Sequence, residues 1–232
     1  MIFGASNMSW SIEEAGVISK KLKQYGFEYV ESVYSKLSED FPVKAIQSIF
    51  YGSKITSLDD TDKCVSHVKK IIDDCESRSI SVITFGSPTM RIGEKNKMHD
   101  FLKEIDMLLK NSNINFCIEP NASFYGAEYY NKVSDICLDL NKFDNICTMI
   151  DVGNSILEGQ NVLEEYKKYK DKVSHVHFAA PGLKSIQDFN IYKEFKDLLL
   201  ENNYSGMISY EFASTDDIDK TLSDFSREII GV

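Results

Sequence analysis

Four apolar runs of the sequence end in, or contain, a side chain that can bind a metal ion or move a proton. The runs F-C-I-E, T-M-I-D and I-S-Y-E end at Glu119, Asp151 and Glu211, and V-S-H-V-H-F contains His177. Positions 119, 151, 177 and 211 are separated by 32, 26 and 34 residues. Each interval accommodates one helix and two short loops, which is the length of a β/α unit. The spacing therefore predicts four consecutive parallel strands that carry these side chains.

The residue types at these strand ends predict a divalent metal site. Because a closed barrel presents the carboxyl ends of its parallel strands on one rim, the four side chains should lie next to one another. Three carboxylates at close range repel one another unless a cation lies between them. Three oxygen ligands and one nitrogen suit Mn²⁺ or Mg²⁺, with Zn²⁺ as a further option. The alternative interpretation is a set of hydrogen-bonded polar residues at the barrel mouth.

The remaining histidines are expected to have other functions. Alternation along the strand places His175 on the same face as His177, two residues lower. We therefore expect His175 to support the site or fill the core rather than bind the metal. His67 and His99 fall within predicted helices, where solvated helix faces are the simplest explanation.

Strands and helices alternate along the whole chain. The apolar periodicity predicts strands at 2–5, 27–31, 43–51, 81–86, 115–119, 146–151, 173–179 and 206–212. It predicts helices at 11–25, 58–78, 94–109, 127–141, 160–170, 190–202 and from 216 onward. The short segment between the second and third strands has room for a turn only. The sequence thus predicts a (β/α)8 TIM barrel with a reduced second helix, formed by residues 1–232 as a single domain.

Composition excludes several classes of function. The chain has 232 residues and a net charge of −10, which argues against nucleic acid because its phosphates require a basic surface. It contains no run of about 18 apolar residues, so no membrane partner is expected. The five cysteines form no C-x-x-C pair and no signal peptide is evident, which predicts reduced thiols in a cytoplasmic protein. The expected partner is a small molecule, with a homodimer as a further possibility.

Polar residues near other strand ends are candidates for substrate binding. Lys36 and Arg91 could bind a phosphate or carboxylate group, the alternative being exposed, solvated charges. Side chains that could bind hydroxyl groups, with turn and cap functions as the alternative, stand at four further positions: Asn7, Glu31, Gln47 and Asn121.

The order Glu, Asp, His, Glu at strands five to eight resembles that of the xylose-isomerase-like TIM barrels, the sugar phosphate isomerase/epimerase superfamily. The resemblance covers nearly the whole chain. It includes the motifs S-N-M-S-W, Q-S-I-F-Y-G, F-G-S-P-T-M-R, E-P-N-A-S-F-Y-G-A-E-Y and H-V-H-F-A-A-P-G-L. It implies that the four strand-end residues hold a divalent metal, and that Glu119 and Glu211 also transfer the proton.

The chain departs from the pattern of this superfamily at three places. Asn154 stands where many members have a histidine that contacts a substrate hydroxyl, so Asn154 is a candidate for the same contact. Lys184 is the nearest cation to the position of an arginine that epimerases have after strand seven. A polar pair common in related proteins is replaced by Ala179 and Ala180. These departures imply an altered specificity or a weakened activity.

The resemblance implies a metal-dependent isomerase or epimerase of sugars or sugar phosphates that transfers a proton through an enediolate. A dehydratase or aldolase would use the same first step. One alternative is an apurinic endonuclease of the endonuclease IV type, which shares the barrel but uses several more histidines. Another is a catalytically degenerate barrel that only binds a sugar or a partner.

Overall fold

Eight parallel strands form a closed barrel in the computed structural model, which describes all 232 residues. Each strand pairs with the next one in the sequence, and the last pairs with the first. The predicted barrel is therefore confirmed. The strands are β1 (Ile2–Ser6), β2 (Tyr29–Val33), β3 (Val43–Gln47), β4 (Val82–Phe85), β5 (Asn115–Ile118), β6 (Ile146–Asp151), β7 (Val173–Ala179) and β8 (Met207–Glu211).

Eight helices surround the barrel. A single 3-10 turn, Tyr34–Lys36, stands between β2 and β3, so the predicted reduction of the second helix is confirmed. The helices are α1 (Ala15–Gln24), α2 (Thr61–Ser77), α3 (Lys95–Leu109), α4 (Val133–Leu140), α5 (Val152–Leu157), α6 (Val162–Tyr169), α7 (Asn190–Glu201) and α8 (Ile218–Phe225).

The main differences from the prediction concern two predicted elements and one helix that was not predicted. The third strand ends at Gln47 rather than 51, because Ser48 adopts a positive φ and turns the chain. The predicted helix 127–141 begins only at Val133. The short helix α5 was not predicted; it begins directly after β6 because the Asp151 carboxylate accepts a hydrogen bond from the amide of Asn154.

Helix packing follows the apolar periodicity of the sequence. In α2 the buried residues recur at helical spacing along one face, which packs on the outer side of the sheet. Asp60 starts this helix by accepting a hydrogen bond from the amide of Lys63. The main core lies between strands and helices and contains 51 buried residues. No helix combines the length and hydropathy needed to cross a bilayer.

The barrel interior changes from apolar at the bottom to polar at the mouth. Gly4 leaves room for the Tyr29 ring there, since a Cβ on Gly4 would lie 2.4 Å from that ring. The apolar bottom layer consists of Tyr29, Ala45, Val82, Cys117, Met149 and Met207. Because strand side chains alternate, the residues two positions later point inward one layer higher. That higher layer contains Glu31, Gln47, Thr84, Glu119, Asp151 and Ser209.

Two register shifts adjust the height of this polar layer. The pairing of β2 with β3 shifts between Val30 and Glu31. The pairing of β6 with β7 shifts between Thr148 and Met149, after which Asp151 stands opposite His177. Such irregularities re-aim side chains next to functional sites.

Candidate metal centre

The four predicted ligands converge at the mouth of the barrel. His177 Nδ1 lies 3.3 Å from Glu119 Oε1, 3.2 Å from Glu211 Oε2 and 3.8 Å from Asp151 Oδ2. One nitrogen and three carboxylate oxygens lie within 4.8 Å of one another. The side chain of Glu119 is 12% exposed, toward the cavity, and the other three are almost completely buried.

This arrangement fits a divalent cation. Ligand atoms about 2.0–2.6 Å from an ion lie roughly 3–4 Å apart when they are adjacent and roughly 4–5 Å apart when they are on opposite sides of it, which matches the observed cluster. His177 Nδ1 is buried and has no hydrogen-bond partner. Its other nitrogen, Nε2, lies 2.8 Å from Glu31 Oε2. A proton on Nε2 donated to Glu31 leaves the lone pair of Nδ1 directed at the three carboxylates, as a metal ligand requires.

Glu31 supports the site from below and does not reach the substrate cavity, contrary to the prediction that it binds a hydroxyl group. Its carboxylate is completely buried and accepts hydrogen bonds from both histidines of β7 and from Thr84 Oγ1. His175 lies 3.0 Å from Glu31 and points away from the ligand cluster, in agreement with its predicted supporting function. Glu31 therefore fixes the orientation of His177.

The charges of the cluster favour an added cation. Burial alone would lower the pKa of His177, but Glu31 and Glu211 outweigh it and raise that pKa well above its usual value. For the carboxyl groups burial acts in the other direction: it is the main reason why the pKa of Asp151 is raised and why that of Glu211 rises to about 7. Without a metal, protons thus partly neutralise the cluster.

A cavity of 240 Å³ opens above the cluster. Gln47, Asn121 and Asn154 line it, together with Glu119, Asp151 and Glu211. The Asn121 side-chain oxygen is buried without a partner, so it can accept a hydrogen bond from a ligand. The Asn154 amide already binds the carbonyl of Pro120 and the amide of Ala122. Asn154 therefore ties the loop after β5 to α5 rather than presenting free groups to a ligand.

Asn7 and Lys36 do not line this cavity, although both were predicted to bind substrate. The Asn7 side chain accepts from the amide of Val33 and donates to Ser32 Oγ. The ammonium group of Lys36 donates to the backbone carbonyls of residues 7, 8 and 10. These two side chains join the loop after β1 to the loop after β2.

Arg91 and Lys184 also lie outside the cavity, contrary to the sequence prediction. Arg91 is completely buried and donates to the carbonyls of Phe85 and Tyr130 at 2.7 and 3.2 Å. It braces the loop after β4 against the loop after β5 and cannot receive a ligand. Lys184 is exposed and lines a neighbouring groove beside Ile156.

Sequence analysis missed several cavity residues. Ser48, Ser87 and Leu183 line the cavity, and all three adopt a positive φ of 51–55°. Such backbone strain is concentrated at functional sites, but it leaves no mark on residue type in a sequence. Tyr125 also lines the cavity, and it lies within the E-P-N-A-S-F-Y-G motif, which could have identified it. Its hydroxyl accepts a hydrogen bond from the amide of Gly182.

The two helical histidines are not on solvated faces, so that expectation is wrong. His67 is half-buried, with Nε2 2.7 Å from the carbonyl of Ile49. His99 is half-buried and lies 3.1 Å from Asp139. Both hold helices against neighbouring segments and lie away from the metal centre.

Comparison with known proteins identifies the fold. The chain matches no protein-family profile and no curated protein sequence. It superposes on the 3-keto-D-glucoside 4-epimerase YcjR from E. coli with a TM-score of 0.77 and 14% identity, covering 98% of this chain and 99% of that one. A D-tagatose 3-epimerase-like protein superposes with a TM-score of 0.76 and 18% identity, covering 99% of this chain and 96% of that one. An AP endonuclease of family 2 from Brucella melitensis superposes with a TM-score of 0.78 and 13% identity, covering 98% of this chain and 99% of that one. The chain therefore shares the (β/α)8 barrel fold of these proteins.

Gly86 makes room for a ligand carboxylate, which leads to a first prediction. A Cβ on Gly86 would lie 2.1 Å from Glu119 Oε2. Gly86→Ala should therefore displace this carboxylate and weaken Mn²⁺ binding by about tenfold or more while the fold is retained. Calorimetric titration with Mn²⁺ measures the effect. Gly16→Ala is the matched control, because its Cβ meets only Asp40 at an ordinary 3.6 Å. Equal affinities for the two variants would contradict the prediction.

Replacement of the supporting carboxylate gives a second prediction. Glu31→Gln removes the charge that holds the Nε2 proton of His177, so metal affinity should fall about 10- to 100-fold. Glu128→Gln serves as a control, since this exposed carboxylate lies on the loop after β5 and only caps the amide of Gly93. Circular dichroism of the metal-free proteins checks folding. An unchanged Mn²⁺ affinity in Glu31→Gln would show that Glu31 does not orient the ligand.

The pKa shift of Glu211 predicts how metal binding depends on pH. Because burial raises its pKa to about 7, Glu211 carries a proton below that pH in the metal-free protein. Mn²⁺ must displace this proton and also the proton of His177, whose pKa is raised as well, so affinity should fall by about tenfold or more for each pH unit below 7 and should still depend on pH above 7. Calorimetry between about pH 6 and 8, in buffers of different ionisation enthalpy, measures affinity and proton release. An affinity that is constant over this range would contradict the assignment.

Proposed function

We propose that this protein is a divalent-metal-dependent isomerase or epimerase of a sugar or sugar phosphate. The main support is the convergence of three carboxylates and an unpartnered imidazole nitrogen beneath an open cavity at the carboxyl ends of the strands. This is the face at which barrels of this type have their active sites. The similar solved structures include a 3-keto-D-glucoside 4-epimerase and a D-tagatose 3-epimerase-like protein, which agrees with this class of reaction.

The proposed metal ligands are Glu119, Asp151, His177 and Glu211, with Mn²⁺ or Mg²⁺ preferred over Zn²⁺ because three of the four ligand atoms are oxygens. When bound, the cation would supply an electrophile that stabilises negative charge developing on the oxygen atoms of the substrate.

Glu119 and Glu211 are the proposed acid and base. Glu119 directly follows β5 and Glu211 ends β8; these strands are three apart around the barrel, so the two carboxylates approach the cavity from different sides. One of them removes the proton from the carbon beside the substrate carbonyl, which leaves an enediolate. Return of a proton to the opposite face of the same carbon gives epimerisation, and return to the neighbouring carbon gives isomerisation. Gln47 and Asn121 would orient the substrate hydroxyl groups.

An AP endonuclease activity is the second candidate, because a solved AP endonuclease of family 2 has a similar fold. Two features argue against it. The net charge of −10 opposes binding to a phosphate backbone. His67 and His99, the histidines outside β7, are engaged with Ile49 and Asp139 and cannot add further metal ligands to this site. Nicking of abasic DNA by the purified protein would support this candidate.

A barrel that binds a sugar without reaction is the third candidate. The departures at Asn154 and Ala179–Ala180 from the pattern of the superfamily that the sequence resembles favour it. Retention of both glutamates in the ligand cluster opposes it, since sugar binding alone does not require two carboxylates that face the same cation.

The proposal is tested by proton exchange. The Mn²⁺-loaded protein should exchange a substrate C–H proton with D₂O when incubated with a panel of ketoses, aldoses and their phosphates, as followed by NMR. Glu211→Gln and Glu119→Gln, studied at saturating Mn²⁺, should lose about 100- to 10,000-fold of the exchange rate. Glu128→Gln should exchange like the wild type. Absence of exchange by the wild-type protein on every sugar of the panel would refute the proposal.

A further inference from the structure

The cavity above the metal centre contains no basic side chain. It is lined by three carboxylates, by neutral polar residues and by a few apolar ones. We infer that the substrate is an uncharged polyhydroxy carbonyl compound, an unphosphorylated sugar, rather than a sugar phosphate or sugar acid. This inference rests on the proposed function and specifies its substrate class.

The cations nearest to the barrel mouth are not available to a ligand. Three backbone carbonyls occupy the ammonium group of Lys36. Arg91 is completely buried beneath the loops after β4 and β5 and donates to two carbonyls there. Lys184 lies in the neighbouring groove beside Ile156, outside the cavity lining. A phosphate group would therefore meet none of the charged donors that recognise it in proteins.

The usual phosphate position of this type of barrel is also unsuited to an anion. Barrels that bind phosphate commonly do so with the loops after the seventh and eighth strands and the N-terminus of a short extra helix. Here the loop after β8 carries Asp216 and Asp217. Asp217 accepts the hydrogen bond of the Lys220 amide and so occupies the N-terminus of α8 with its own carboxylate. Both features place negative charge on the loop after β8 and at the start of α8, so neither offers a donor to an anion.

The charge balance at the metal leads to the same conclusion. The three ligand carboxylates carry one negative charge more than a divalent cation neutralises. A phosphate dianion in the same cavity would add two further negative charges with no opposing group nearby. At a separation of about 4 Å, such repulsion is sufficient to weaken binding at least tenfold even when solvent screens most of it.

The neutral lining groups suit hydroxyl groups. Gln47, Ser48, Ser87, Asn121 and Tyr125 present amides and hydroxyls to the cavity, and each can both donate and accept a hydrogen bond. The Asn121 side-chain oxygen is buried without a partner, so a hydroxyl donor from the substrate would satisfy it. The volume of 240 Å³ lies below the lower bound of about 300 Å³ for drug-sized ligands, which favours a single sugar unit.

Paired ligands test this inference directly. The Mn²⁺-loaded protein is titrated calorimetrically with fructose, tagatose, ribulose and xylulose, with the 6-phosphates of the first two and the 5-phosphates of the last two as charged counterparts, and with inorganic phosphate. We expect at least one free ketose to bind and its phosphate to bind about tenfold more weakly or not at all. Inorganic phosphate should not raise the melting temperature of the metal-free protein, a measurement that does not depend on activity.

Two variants test whether the charge inside the cavity, rather than the charge of the neighbouring groove, determines the preference between a free ketose and its phosphate. Met8 lines the cavity and only its backbone is hydrogen-bonded, so Met8→Lys adds a cation without removing a contact of the loop. This variant should reduce the preference for the free ketose over its phosphate. Lys184→Ala removes the cation of the neighbouring groove and should leave that preference unchanged.

Three results would overturn the inference: a phosphorylated sugar that binds as tightly as its free form, a loss of sugar phosphate binding in Lys184→Ala, or failure of every free ketose to bind. Proton exchange separates these results from failure of the proposed function. Exchange observed only with phosphorylated sugars would leave the isomerase or epimerase proposal intact and overturn the inference. Absence of all exchange, together with binding of free ketoses, would refute the proposed function alone.

Discussion

Three carboxylates face one imidazole nitrogen in a largely buried cluster, and the rest of the site is arranged around this concentration of negative charge. In a medium of low polarity, such groups must take up protons or share a cation. The raised pKa values of His177, Asp151 and Glu211 show the first outcome in the metal-free protein. The position of His177 Nδ1, which is buried among the carboxylates without a hydrogen-bond partner, shows that the geometry is also suited to the second outcome, a shared cation.

The barrel stabilises this arrangement because its interior is separated into an apolar and a polar layer. An apolar layer that includes Tyr29 and Met207 closes the bottom and stabilises the closed sheet. Glu31 lies in the layer above, where it receives two imidazole groups and the Thr84 hydroxyl, so its buried charge is fully hydrogen-bonded. The polar side chains of the mouth therefore rest on a support that fixes them before any ligand arrives, which is a condition for efficient catalysis.

The positive charges near the mouth have a structural function. Lys36 and Arg91 satisfy backbone carbonyls of loops that follow β1, β4 and β5. Lys36 binds three carbonyls of one loop, whereas Arg91 is a second donor to the carbonyls of Phe85 and Tyr130, which also accept backbone amides; each cation joins the segments that it contacts. Because both cations bind backbone carbonyls, the carboxylates alone determine the charge of the cavity. Ser87 in the loop after β4 and Ser48 in the loop after β3 are strained residues, whose conformation the surrounding contacts must impose.

The sequence by itself determined the barrel, the reduced second helix and the convergence of Glu119, Asp151, His177 and Glu211, because strand alternation and the length of a β/α unit are local properties. Glu119, Asp151 and Glu211 needed only their places at strand ends to be identified. Tertiary structure alone decided what Glu31, Lys36 and Arg91 do. Glu31 contacts His175 and His177, which lie more than 140 residues away in the chain. Lys36 and Arg91 bind carbonyls that belong to other loops. A side chain that contacts a distant backbone group leaves no periodic signal, so residue type and position could not distinguish a supporting charge from a binding one.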